Sequence, residues 1–202
     1  MDFDLILALA AFALVSSITP GPNNLMLMAS GANFGFQRTI PHMLGIGIGF
    51  TVMIVLVGAG LMQVFDAYPV SHSILKVVSV VYLAYLAIKI ANASAPSGSR
   101  SETDSTPFSF LQAALFQWVN PKAWTMALTA ITIYAPDRSL GAVVFVALIF
   151  GIINLPSVSI WTLMGQQMAR FLTSPMRLRV FNWTMAALLI ASLYPVLAGQ
   201  TV

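Results

Sequence analysis

No cysteine occurs in these 202 residues, which excludes disulfides, thiolate metal sites and thiol redox chemistry. Only two histidines are present, and the chain has no His-Glu-x-x-His motif, aspartate pair or Gly-x-Ser-x-Gly elbow. Nothing therefore points to a membrane enzyme, a metal or a cofactor. Charge is the third scarcity. Asp, Glu, Lys and Arg together make up 7% of the chain, against roughly 25% in a soluble domain. With 58% hydrophobic residues and a mean hydropathy of +0.87, the chain cannot cover itself with a water-facing surface. It reads as an all-α integral membrane protein in contact with the lipid bilayer. At about 20 residues per span there is room for roughly six to eight spans.

What charge there is carries a pattern. The net charge is +3, but the cations are scattered without a run or stripe, which argues against nucleic acid and for a topology signal. Six apolar segments, at about 5–36, 41–64, 70–91, 108–134, 139–165 and 180–198, are separated by short loops and by one polar stretch, Asn92–Pro107. With the N-terminus outside, the inner loops hold Arg38, Lys89, Arg100, Arg170, Arg177 and Arg179, whereas the outer loops hold only Arg138. The positive-inside rule then predicts both termini outside and a cytoplasmic linker over 92–107. The start, Met1-Asp2-Phe3-Asp4, is acidic where a signal peptide is basic, and the apolar run behind it is too long, so a retained first span is expected.

Two interruptions stand inside the apolar runs, one in each half: Thr19-Pro20-Gly21-Pro22-Asn23-Asn24 and Asn120-Pro121-Lys122. Proline removes a backbone donor and clashes with the preceding turn. In hydrocarbon the freed groups have no water, so such breaks persist only where they are buried in protein or line a cavity. Paired breaks in two halves are the sequence signature of a transporter's binding site. Three spans per half, about 5–91 and 108–198, would also give the halves opposite orientations. The expected architecture is six transmembrane helices in a single transport domain, arranged as two inverted three-helix repeats with the first and fourth helices broken.

The residues at the breaks are the candidates for substrate binding or gating. Lys122 falls near the centre of the fourth span, where a charge costs at least roughly 2.5–3.5 kcal/mol on insertion scales. It either attracts a substrate carboxylate or donates to carbonyls freed by the break. Asn23, Asn24 and Asn120 can each donate and accept, serving loose backbone or a zwitterion. Thr19, Pro20, Pro22 and Pro121 open the backbone, and the half-helix after Pro22 would present its positive end to a carboxylate. Asn154-Leu155-Pro156 adds a third interruption in span five, with Asn154 facing the cavity or bonding a neighbouring helix. Trp118, Trp124, Tyr82 and Tyr85 line the pathway or pack, while Trp183, Tyr134 and Tyr194 suit an interfacial belt. Gly31 and Gly35, like Gly45 and Gly49, have small-xxx-small spacing for close helix contact, within the chain or in a homodimer. His42, beside Arg38 at the inner end of span two, is a proton gate or an interfacial histidine without a task.

The string Thr19-Pro-Gly-Pro-Asn-Asn24, followed by Gly35-Phe36 and by Gly45-Ile-Gly-Ile-Gly-Phe50, resembles the opening of the LysE/RhtB family of amino-acid exporters. Tyr82-Leu-Ala-Tyr-Leu-Ala-Ile-Lys89 and Phe116-Gln-Trp-Val-Asn-Pro-Lys-Ala123 resemble its third and fourth spans. The resemblance covers essentially the whole chain. It implies a six-span bacterial inner-membrane exporter of amino acids or their derivatives, driven by proton antiport. Many members carry an acidic residue in the second span near Gly49, where this chain has Gly49-Phe50-Thr51. That departure points away from lysine or arginine and towards the branch exporting cysteine, O-acetylserine and similar neutral amino acids. The residues agree, since no acidic side chain falls in a span interior to meet a second cationic group. The competing reading is a small pore or a subunit of a membrane complex. A pore would line itself with rings of charge or carbonyls, a pattern that a single central lysine fits poorly.

Overall fold

The computed structural model describes residues 3–61, 63, 67–68, 70–93, 106–137 and 139–198, and every regular element among them is helical. Residues 94–105 of the linker, including Arg100, lie outside the described residues, as do Asp2, Asp66 and Arg138.

Helix α1 (Phe3–Ile18) stops two residues short of Pro20, because the proline ring disfavours helical backbone in the residue before it. Its buried residues Leu9, Ala13 and Ser17 are four apart and form one stripe. Helix α2 (Pro22–Leu56) begins at once, with Pro22 at its first position, where a missing N–H costs nothing. Gly35, at φ +78° and ψ 170°, breaks it into a half-helix over 22–34 and a long rod from 36 onward. A positive φ is cheap only for glycine. The rod ends in a wide turn, Val57–Leu61. Helix α3 (Val70–Ala91) lies at the side, against the helix Pro175–Ala191, and turns Ile74, Val77, Val81 and Ile88 outward.

The second half opens with α4 (Phe110–Phe116), started by a reciprocal pair in which Ser109 accepts from the Gln112 N–H and Gln112 accepts from the Ser109 N–H. One 3-10 turn, Gln117–Val119, leads to Asn120, and α5 (Pro121–Tyr134) restarts with proline at its first position. Helices α6 (Leu140–Ala169) and α7 (Pro175–Ala191) are capped by Ser139 and Ser174, and a short α8 (Tyr194–Leu197) follows.

Glycines hold the centre together. A Cβ on Gly31 would collide with the Thr162 carbonyl, and one on Gly165 with the Met28 carbonyl, so the half-helix of α2 and the end of α6 touch backbone to backbone. Gly45 and Gly49 make the same kind of contact with Phe110, Ala113 and Ala114 of α4. These small residues therefore join the two halves within one chain. Gly35 serves the kink instead, since only Gln166 Oε1, at 4.0 Å, comes near its Cβ position.

Two expectations are corrected here. The third interruption does not form: α6 runs unbroken through Pro156. Ser157 Oγ donates to the Ile153 carbonyl at 2.8 Å and Ser159 Oγ to the Leu155 carbonyl at 2.7 Å, one turn back in each case. Tyr134 is not interfacial. It is buried beside Phe12 and donates to the Ala8 carbonyl, whereas Trp183 and Tyr194 are exposed. Three helical stretches, Pro22–Leu61, Val70–Ala91 and Leu140–Ala169, are each long and apolar enough to cross a bilayer, with shorter apolar helices at Phe3–Ile18 and Phe110–Val119. The protein is a multi-pass membrane protein.

Candidate functional site

The two breaks meet. Ending α1 at Ile18 leaves its last carbonyls without intrahelical partners, and side chains from elsewhere find them. Asn24 Nδ2 donates to the carbonyls of Ser17 and Thr19, both at 2.8 Å. Trp161 Nε1, on α6, donates to the Ile18 carbonyl at 3.0 Å. Lys122 Nζ, from the other break, donates to the Thr19 carbonyl at 2.7 Å, to Thr19 Oγ1 at 2.9 Å and to the Pro20 carbonyl at 3.4 Å.

Lys122 is the second residue of α5, at the positive end of that helix, where a cation is unfavourable. Its ammonium is offset by the negative end of α1, whose carbonyls it caps. Gly21 makes room for the stem: a Cβ there would lie 2.6 Å from Lys122 Cδ. Of the two sequence readings of Lys122, carbonyl capping is the one seen in this closed arrangement, and the carbonyls belong to Thr19 and Pro20 rather than to its own break.

The second residue of the other restarted helix also crosses over. Asn23 Nδ2 donates to Gln117 Oε1 at 2.8 Å, and Gln117 Nε2 returns a bond to Asn23 Oδ1 at 3.2 Å. Gln117 also donates to the Ala113 carbonyl and is fully buried. Each half thus sends the second residue of its restarted helix to a position just ahead of the other half's break. Asn120 stays local, its Oδ1 accepting from the Lys122 N–H at 3.1 Å to cap α5. Asn154 Nδ2 donates to Ser17 Oγ at 3.1 Å, while its buried Oδ1 has no partner.

These groups surround a cavity of about 20 Å³. Asn23, Asn24, Asn120, Lys122 and Asn154 line it together with Ser17 and Gln117, and Phe50, Met126 and Val158 close the apolar side. Thr19 and Pro20 supply carbonyls to its rim, and Pro22 and Pro121 set the helix starts. No acidic residue lines it. Among the described residues no cluster of His, Asp and Glu could hold a metal. Of the aromatics considered for the pathway, Tyr82 packs on Phe116, and Trp124 donates to the Trp118 carbonyl, away from this cavity.

Sequence reasoning missed Ser17, Gln117 and Trp161. Gln117 alone carried a local signal, as a buried-type amide three residues before a helix break. The model of the LysE type translocator family matches residues 14–193. The chain belongs to the LysE type translocator family. It is thus a transporter and not an enzyme. The cysteine/O-acetylserine efflux protein of Klebsiella pneumoniae subsp. pneumoniae is 26% identical over 188 residues, covering 92% of this chain and 93% of that protein. Proteins of the same description from Escherichia coli O139:H28 and Escherichia coli K12 are 26% and 25% identical over 168 residues, covering 82% of this chain and 85% of theirs. No solved structure matches the chain.

Proposed function

We propose that this LysE-type translocator exports small neutral amino acids or close derivatives across the bacterial inner membrane, in exchange for protons. Family membership and relatives named as cysteine/O-acetylserine efflux proteins support amino-acid export. One observation carries the substrate class: the cavity between the breaks offers amides, one cation and no carboxylate. A substrate carboxylate can compete with the Thr19 carbonyl for Lys122 Nζ, and Asn154 Oδ1, unpartnered in the closed state, can accept from the ammonium group. Lysine or arginine would bring a further charge without a counter-ion, which costs several kcal/mol in a dry site.

The crossing bonds of Asn23 and Lys122 support a two-fold relation between halves, read here as two inverted three-helix repeats, and the cation bias of the loops supports both termini outside. In such an arrangement one repeat rocks against the other around a fixed site. Releasing Lys122 from Thr19 is the step that would couple substrate to that motion. The small cavity, about 20 Å³, favours a carrier over a pore. Counterflow in proteoliposomes tests the reading. Labelled O-acetylserine should exchange against internal O-acetylserine or cysteine and not against lysine, with uptake stimulated by an imposed proton gradient. Exchange of lysine at equal rate, or leak without counterflow, would overturn it.

A further inference from the structure

The cavity between the breaks has two unlike sides. Amides, serine hydroxyls and the Lys122 ammonium form one, whereas Phe50, Ala123, Met126 and Val158 supply hydrocarbon to the other. Sequence spacing builds this split. Met126 stands four residues after Lys122 on α5, and Val158 four after Asn154 on α6. Each polar anchor thus has an apolar neighbour one turn along on the same helix face. Phe50 comes from the rod of α2.

The two sides differ in how they can yield. The polar side is held by bonds from Lys122 to Thr19 and between Asn23 and Gln117, which polar groups of a substrate can replace. The Phe50 ring is 2% exposed and is backed by Phe150, edge to face at 5.6 Å. Phe150 meets Phe12 in turn at 5.7 Å, and Phe12 stacks on Tyr134 at 5.9 Å. The backbone beside Phe50 is fixed as well, since a Cβ on Gly49 would lie 2.6 Å from Ala114 Cα. A close-packed aromatic column of this kind gives little space without repacking. Met126 is the adaptable member of the wall, being unbranched with three rotatable bonds.

We infer that Phe50 is a specificity-determining residue, its ring filling the space that an aromatic side chain of a substrate would need. The inference rests on the transport reading and deepens it. At about 20 Å³ the cavity holds one or two water-sized groups of about 10–15 Å³, so a substrate enters only as one side yields. The polar side yields to carboxylate and ammonium, and the remaining substituent on the α-carbon meets the wall that does not. Flexible, narrow side chains such as those of alanine, cysteine and O-acetylserine are accommodated by Met126, while a phenyl ring collides with Phe50. Removing the Phe50 ring leaves a void of matching shape, because a packed core relaxes only partly around such a deletion.

Counterflow in proteoliposomes, with alanine and phenylalanine as the labelled substrates, tests this. Wild type should favour alanine at least tenfold in kcat/KM. Phe50→Ala should change that ratio at least tenfold in favour of phenylalanine, and Phe50→Leu should move it the same way by less. Met53→Ala is the control, a residue buried in the same cluster that does not line the cavity; its ratio should stay within twofold of wild type. Should a Phe50 variant bind without transporting, the rise in melting temperature on adding each amino acid reads the same preference. Equal use of both substrates by wild type, an unchanged preference in both Phe50 variants, or an equal shift in Met53→Ala would each overturn the assignment. Failure of the transport reading shows differently, as no alanine counterflow in wild type.

Discussion

Asn23 and Gln117 lie 94 positions apart and exchange two hydrogen bonds, one in each direction, across the line where the two broken helices meet. Each amide commits one donor and one acceptor site to the other while the pair holds. The contact therefore belongs to the seam between the halves, and opening the seam at this point exposes a donor and an acceptor together.

The pair predicts a non-additive result. Gln117→Leu strands the half-buried Asn23 amide and should destabilise the protein by about 0.5–1.5 kcal/mol, the net worth of a typical hydrogen bond. The double variant Asn23→Leu/Gln117→Leu removes both partners and should recover most of that stability while remaining inactive in transport. Thermal unfolding in detergent, read beside counterflow, checks both halves of the statement.

Lys122→Met should insert and fold but lose transport of neutral amino acids at least tenfold, because the Thr19 carbonyl loses its cation and a substrate carboxylate loses its counter-charge. Leucine at Asn24 or Asn120 should likewise abolish transport with the protein still in the membrane. Initial efflux rates normalised to the amount of inserted protein measure both effects. Normal transport in all three variants would place the site elsewhere.

Gly31→Ala should separate α2 from α6 and cost about 1–3 kcal/mol, the usual penalty for overpacking. Gly141→Ala is the control. Nothing lies within 4 Å of its Cβ position, so it should be neutral or slightly stabilising. Comparing the two melting temperatures separates a packing glycine from an incidental one.

A cysteine introduced at Ser99 should resist an impermeant thiol reagent applied to intact spheroplasts and react after permeabilisation. Ready labelling of intact cells would reverse the orientation and exchange the inner and outer sides of the cavity.

The breaks were legible in the sequence because their causes are local. Pro20, Pro22 and Pro121 act on the turn beside them, and asparagine next to proline in an apolar run has few other uses. The same local logic misread Pro156, through which α6 runs unbroken while packed against α1 and α2. The burial of His42 was not legible either, because Phe108 returns from the second half to cover the ring. The partners of the α1 carbonyls were not legible at all. Trp161 is 143 positions from Ile18, and Lys122 is 103 from Thr19, and nothing in the composition of either neighbourhood announces the other.

The capping of α1 has a consequence for biosynthesis. Asn24 and Thr19 are caps that α1 can reach early, whereas Lys122 and Trp161 emerge from the ribosome far later. Until they arrive, the Ile18 carbonyl lacks the partner that Trp161 supplies and the Pro20 carbonyl lacks Lys122, a state that hydrocarbon penalises. The two halves are thus obligate companions in folding. Severed at the linker, they should be rescued by co-expression, and the first half made alone should be a substrate for membrane proteases.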